Sequence, residues 1–349
     1  MSQIRRAADS VANHITSEPD FLSIVMPVRN EERFIRETLM QLVGQDYPAD
    51  KYEILVSDGM SDDATREIVT AMARQYPQIR LLDNPGRRSG AGRNVGFRNS
   101  RGNYLLVIDG HCFIPTDQLF RNVVDCFQTS GADCLGRPQP LDAPGLSLFQ
   151  KGVAIARGSR LGHGGDSLIF GEYEGYASPV SNGAAYRRDV FAQVGYVDER
   201  FDAAEDVEFN YRVEQAGLRA YTSPRLTVRY HPRESFTGLF RQMERYGKGR
   251  CRFIRKHREA LTINQLVPAG FVCGLLLLPA SFFKPLFPGS WLPVFVLWGL
   301  YGIYALLILA ESVRLSMRNG WNYFPLLPLL FMTIHAGLGW GFVKQSLSR

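Results

Sequence analysis

Four acids and one histidine carry the chemistry on offer in this sequence. They are Asp58 in "VSDG", Asp109 and His111 in "LLVIDGHCFIP", and the pair Glu205 and Asp206 in "FDAAEDVEF". A carboxylate beside an imidazole can hold a divalent ion such as Mn²⁺ or Mg²⁺. Such an ion stabilises charge developing on a diphosphate leaving group. A second carboxylate can take the proton of an attacking hydroxyl, an effect of about 10²–10⁴-fold. These residue types suit group transfer from a nucleotide-activated donor. Plainer roles stay open: Asp58-Gly59 also reads as a turn, and Glu205-Asp206 as acids at the positive end of a helix.

The elements that must position these groups alternate along the chain. "FLSIVMPV", "YEILVSDG", "IRLLDNPG" and "YLLVIDG" read as strands; "NEERFIRETLMQLVGQ", "DATREIVTAMARQY" and "GAGRNVGFRNS" read as the helices between them. This order predicts an α/β fold with a mainly parallel sheet and right-handed crossovers. Ligands then bind beyond the carboxyl ends of the strands, where Asn30 and Glu31, Asp58, Asn84, and Asp109 with His111 gather. After Gly131 a glycine-rich stretch reads as a loop ordered by its ligand. "FDAAEDVEFNYRVEQAGLRA" predicts a loop and an amphipathic helix with Phe209, Val213 and Leu218 inward, and "AYTSPRLTVRYH" a late strand.

Bulk properties separate two parts. The chain has 349 residues and a formal charge of +6, but the excess is concentrated in Arg241 to Arg258, with eight Lys/Arg and one acid. This run stands directly before an apolar tail, which favours anionic lipid headgroups over nucleic acid as its partner. Three apolar stretches of about 20 residues follow, at 264–283, 291–310 and 323–343, the length needed to cross a bilayer. The first, with Asn264, Gln265 and Pro268, also suits an interfacial or re-entrant helix. Three crossings would leave Arg314 and Arg318 inside and Arg349 outside. His335, within the last stretch, reads as a partner in a helix–helix hydrogen bond. The five cysteines show no CxxC spacing and read as reduced thiols. The first 20 residues lack an apolar core, so they are not a signal peptide.

"SIVMPVRNEERFI", "EILVSDGMSDDAT", "GAGRNVG", "LLVIDGH", "FDAAEDVEFNYRV" and "QMERYGKGR", in this order, resemble family 2 glycosyltransferases of the GT-A fold. "DGH", in place of the commoner aspartate-any-aspartate triplet, is similar to the succinoglycan-biosynthesis type of bacterial exopolysaccharide glycosyltransferase. The resemblance implies roles for matching positions. Pro27, Glu31 and Asp58 would hold the nucleotide base, with Ser57 altering one usual contact; Arg93 and Asn94 would line the donor pocket. Asp109 would reach the ribose and metal-diphosphate region, with His111 as the second metal ligand. Asp206, next to Glu205, would be the general base of an inverting displacement. Gln242, Arg245 and Tyr246 match the family's glutamine, arginine and tryptophan signature, with tyrosine replacing tryptophan.

The expected organisation is a flexible segment over 1–20, a GT-A domain over 21–240, a basic juxtamembrane segment over 241–260 and a membrane region over 261–349. The expected activity is transfer of a sugar from a nucleotide-diphosphate donor, a UDP-sugar by preference, to a lipid-linked or saccharide acceptor in exopolysaccharide or cell-surface glycan biosynthesis. The expected place is the cytoplasmic face of the plasma membrane. Competing readings are a polyprenyl-phosphate sugar synthase, a processive polysaccharide synthase and a non-catalytic nucleotide-sugar-binding component. Sensitivity to Asp206, polymer length, and binding without turnover separate them.

Overall fold

Strands and helices alternate through the first third of the chain as their apolar spacing requires. The computed structural model describes residues 20–163, 168–278 and 292–348; the flexible segment expected over 1–20 lies, except for residue 20, outside the described residues. In chain order come β1 (Leu22–Val28), α1 (Ile35–Val43), β2 (Tyr52–Asp58), α2 (Thr65–Gln75), β3 (Ile79–Asp83), α3 (Ser89–Asn99) and β4 (Tyr104–Val107). β1 pairs in parallel with both β2 and β4, and β2 with β3. The carboxyl ends of these strands therefore share one edge. Their runs are continuously apolar because both faces are covered. Leu22, Ile24 and Met26 face one cluster with Ile54, Val56 and Phe120, whereas Val25, Leu105 and Val107 face the other with Phe97 and Phe209.

α1 starts at Ile35 and not at Asn30, for a reason lodged in side chains. Asn30 sits in the left-handed region at φ 56°, and its amide group exchanges hydrogen bonds with Asp62. Asn30 N–H donates to Ser61, Glu31 N–H to Thr65 and Glu32 N–H to Asp63. Glu32 in turn accepts from Ala64 N–H. The loops after β1 and β2 are thus knitted together at the strand-end edge, and Asn30, held in the left-handed region, cannot open a helix.

Beyond β4 the sheet becomes mixed. β5 (Cys112–Phe113), α4 (Leu119–Ser130), β6 (Cys134–Gly136) and α5 (Leu148–Arg157) precede β7 (Gly175–Ala177) and β8 (Gly183–Arg187). With β9 at Ala220–Thr222, the full strand order is β3-β2-β1-β4-β8-β6-β9-β7. The glycine-rich stretch expected as a loop therefore supplies two sheet strands, with β8 antiparallel to both β4 and β6; its residues 164–167 lie outside the described residues. α6 (Glu205–Gln215) buries Phe209 and Val213 as expected, and Leu218, beyond its end, is half-buried in the same cluster. The late strand is split at Pro224 into β9 (Ala220–Thr222) and β10 (Arg229–Tyr230), and β10 pairs with β5 in a separate ribbon.

The basic run is a helix, α7 (Phe236–Lys256), followed by α8 (Ile263–Leu277), α9 (Leu292–Asn319) and α10 (Leu327–Leu347). Among the described residues two helices are long and apolar enough to cross a membrane, Val294–Asn319 and Leu327–Leu347, while Ile263–Leu277 is shorter; residues 279–283 of the first expected span are not described. α10 lies along α7. A side chain at Gly247 would collide with the Leu338 backbone, and one at Gly341 with that of Glu244. At one end Leu330 meets Gly152 of α5, and at the other Arg255 donates to the Ser346 and Ser348 carbonyls at 2.7 and 2.8 Å. α10 thus contacts α5 near one end and α7 near the other.

Candidate active site

β4 hands the chain to Asp109 and His111 at the shared edge, and two neighbouring elements brace them. His111 Nδ1 meets Glu31 Oε1 at 2.8 Å. β10 brings the Tyr230 hydroxyl to Asp109 Oδ2, to which it donates at 2.7 Å, and Arg137 donates to that hydroxyl at 2.9 Å. Burial alone would raise the Asp109 carboxyl, but His111, Arg93, Arg137 and the tyrosine hydrogen bond hold it below its ordinary value. Burial opposes charge on His111 too, yet the hydrogen bond and charge of Glu31, then Asp109, raise it above a usual histidine.

α3 and α6 deliver the second half of the site. Gly92 lets the first turn of α3 approach β1: an added Cβ would stand 3.0 Å from that of Pro27. Arg93 thereby enters the interior, 3.6 Å from Glu205. Desolvation works against its charge, and Glu205, Asp206 and Asp109 together outweigh it, so the guanidinium stays firmly protonated. Its Nε is buried with no partner among the described residues. Ala204, at φ 61°, turns the chain sharply into α6. Glu205 is buried, which raises its carboxyl against the pull of Arg93 and with the push of Asp206. Asp206 is half-buried, and one of its oxygens accepts from Val207 N–H at 2.9 Å.

Several expected ligand residues are already engaged by protein. Asp58 is fully buried; it pairs with Arg66 at 2.7 Å and accepts from the hydroxyl and N–H of Ser61 at 2.5 and 3.1 Å. Its carboxylate orders the loop after β2. Asn94 is spent likewise, accepting from Val197 N–H and donating to the Val197 carbonyl and to Glu199. It shapes the approach to α6 from the buried side of α3. Glu31 reaches the site through His111. Arg245 donates to the Asp202 carbonyl at 2.9 Å, next to the loop before Glu205, and Tyr246 stacks under Arg157 on the same helix. Gln242 is half-buried on α7.

Three contributors escaped the sequence reading. Arg137 follows a strand end, and Tyr230 sits in "VRYH", where nothing local marks it as a partner of Asp109. Glu208 had a signal, its spacing of four from Arg212 in α6. It accepts from Arg212 at 3.0 Å and pairs with Lys256 at 2.7 Å and His257 at 3.1 Å. Those contacts tie the helix that bears Asp206 to α7.

The donor set suits a divalent cation. Tyr230 occupies Asp109 Oδ2 and Glu31 braces His111 Nδ1, which leaves Asp109 Oδ1 and His111 Nε2 without described protein partners. A carboxylate-braced histidine presenting its other nitrogen is a usual metal ligand. Among the described residues no group of three or more His, Cys, Asp or Glu could hold a metal by itself. Further ligands would have to come from a bound diphosphate or from water.

Comparison with known proteins agrees with this geometry. Residues 19–249 match the family model "Glycosyltransferase like family 2". The chain is 32% identical over 326 residues to the succinoglycan biosynthesis protein ExoA of Rhizobium meliloti, covering 93% of this chain and 94% of that one. It is 25% identical over 334 residues to the dolichyl N-acetyl-alpha-D-glucosaminyl phosphate 3-beta-D-2,3-diacetamido-2,3-dideoxy-beta-D-glucuronosyltransferase of Methanococcus voltae, covering 93% and 97%. Among solved structures, the mannosyltransferase PcManGT of Pyrobaculum calidifontis, in complex with GDP-Man and Mn²⁺, superposes with a TM-score of 0.63 at 20% identity, over 95% of this chain and 89% of that one. The fold is GT-A, and the chain belongs to glycosyltransferase family 2.

Proposed function

We propose that this glycosyltransferase is membrane-associated, metal-dependent and inverting, and that it moves a sugar from a nucleoside-diphosphate donor to a lipid-linked acceptor. The observation that carries the reading is Arg93, a buried cation within electrostatic reach of Asp109 on one side and of Glu205 and Asp206 on the other. A donor diphosphate would meet Asp109, His111 and the unpartnered Arg93 N–H. A divalent ion bound there would supply positive charge to the departing diphosphate. Asp206, with a carboxylate oxygen to spare, takes the proton of the acceptor hydroxyl as that oxygen attacks the anomeric carbon. The sugar–diphosphate bond breaks in the same step, and the anomeric configuration inverts. Glu205 and Arg93 position the base; Pro27, Glu31, Asp58 and Asn94 support the donor side.

The lipid acceptor is supported by the apolar tail packed on the catalytic unit and by the dolichyl phosphate in the name of the Methanococcus voltae relative. α9, whose apolar window is 11% buried, is the segment assigned to the bilayer; α10, 44% buried, is assigned to the membrane interface against α7. The test is transfer of radiolabelled sugar from a panel of sugar nucleotides to membrane lipid extract, by the full chain with and without Mn²⁺. Label appearing in lipid only with Mn²⁺ is expected. Nucleotide binding with no transfer to any lipid fraction would reject the proposal.

A further inference from the structure

Carboxylates neutralise most of the interior cations of this protein. Arg66 has Asp58 and Asp83, Arg212 and Lys256 have Glu208, and Arg93 has Glu205. Arg137, Arg157 and Arg250 break this rule; Arg137 does so beside Asp109, where the Tyr230 hydroxyl accepts its hydrogen bond. Arg157 ends α5, is 7% exposed, and has its Nε buried without a partner. Its guanidinium lies 5.7 Å from the ring centre of Tyr246 and 6.0 Å from that of Phe170. Arg250 stands on α7 one helical turn beyond Tyr246, the ring that Arg157 covers, and burial and the charge of Arg157 hold its guanidinium below its ordinary range. Among the described residues neither has a carboxylate in ion-pair contact. Guanidinium groups stay charged in proteins, so a buried Arg157 with a half-buried second cation near it is costly until an anion joins them.

Their position says which anion. Gly249, beside Arg250, packs on the turn before the catalytic acids: an added Cβ would stand 2.5 Å from the Ala203 oxygen and 3.0 Å from the Ala204 Cβ. Arg245, one residue from Tyr246, holds the Asp202 carbonyl. Arg250 therefore sits on the stretch of α7 that touches residues 202–204, immediately ahead of Glu205 and Asp206, and Arg157 reaches Tyr246 of the same stretch from α5. From the opposite direction, α5 is seated on the apolar tail, with Gly152 against Tyr323, Leu326 and Leu330. Cationic side chains between a general base and an apolar helix layer match a molecule with a phosphate head and a hydrocarbon tail. The donor diphosphate has its own cation, Arg93, which is paired with Glu205.

We propose that Arg157 and Arg250 form the subsite for the phosphate or diphosphate of the lipid-linked acceptor, walled by Tyr246, and so set the acceptor hydroxyl against Asp206. The assignment rests on the glycosyl-transfer reading above. Paired arginines suit phosphate because each offers parallel N–H donors to its oxygens.

The test uses the full chain in detergent and measures binding of farnesyl diphosphate, inorganic pyrophosphate and farnesol by calorimetry, with UDP and GDP plus Mn²⁺ as donor-side probes. Farnesyl diphosphate should bind more tightly than pyrophosphate or farnesol. Its affinity should fall about ten-fold or more in Arg157→Met and in Arg250→Gln and recover in part in Arg157→Lys. Nucleotide affinity and the thermal midpoint should stay near those of the parent. Unchanged farnesyl diphosphate binding in both variants would overturn the proposal. So would equal affinity for pyrophosphate, which would mark a free-phosphate site, or a parallel loss of nucleotide binding, which would place the pair in the donor pocket. Failure of the parent to bind either nucleotide would strike the glycosyl-transfer reading instead.

Discussion

Asn94, expected to line the donor pocket, has its side-chain amide engaged by the protein around it. Its amide exchanges three hydrogen bonds with Val197 and Glu199, and it is almost fully buried. Asn94→Ala strands the Val197 N–H and carbonyl, so it should lower stability by about 1–3 kcal/mol, measured by denaturant unfolding. Lost nucleotide affinity with an unchanged midpoint would restore the ligand role. Asp58 belongs to the same class. Composition and spacing marked these polar residues, because strand-end polarity in a parallel sheet is visible without coordinates. What each polar atom bonds was not visible, since Arg66, Ser61 and Val197 reach their partners through folded loops. Arg137 and Tyr230 were missed for the converse reason: Tyr230, the partner of both Arg137 and Asp109, is distant from each in sequence, and it is delivered by a ribbon of two-residue strands.

At the scale of elements, α6 matters most because it carries Asp206, and its anchor is Glu208. Burial works against that carboxylate, but hydrogen bonds from Arg212, Lys256 and His257 lower it below the ordinary 4.5. A carboxyl lowered in the folded state adds stability that is complete above its unfolded value and is lost as pH falls through the folded value. Glu208→Gln should therefore cost roughly 1.5–3 kcal/mol at neutral pH, and the gap should narrow only below about pH 4.5, where the parent loses the same contribution. Denaturant melts from pH 7 to pH 3 check this, and a gap that closed between pH 7 and pH 5 would contradict it. The early strands and helices were legible because apolar spacing is a local property. β7 and β8 were not, as glycine removes the alternating apolar signal by which strands are read. His335 met its expected kind of partner, Tyr304 on α9 at 2.9 Å, and also faces the Leu161 carbonyl at 2.8 Å.

Over the whole molecule, the sequence suggested a catalytic domain joined to a membrane tail by a basic collar, and the structure makes the three continuous. Leu239 and Met243 of α7 share a core with Val153 of α5 and with Leu330, Phe331 and Ile334 of α10. The basic helix is thus a layer between the sheet-bearing unit and the tail, and both Asp206 and the Arg157–Arg250 pair are set by it. This layering was hidden from the sequence because the glycines that permit it, Gly247 and Gly341, look like ordinary loop or membrane residues. Under the proposed function, this layering would let one chain bring a soluble donor and a lipid acceptor to one carboxylate. The most direct test of that claim is the transfer rate of Asp206→Asn in the full chain, with saturating donor and lipid extract. The rate should fall by about 10²–10⁴-fold while nucleotide affinity in the presence of Mn²⁺ stays at the parental value; full turnover in the variant would contradict the assignment of Asp206 as the base.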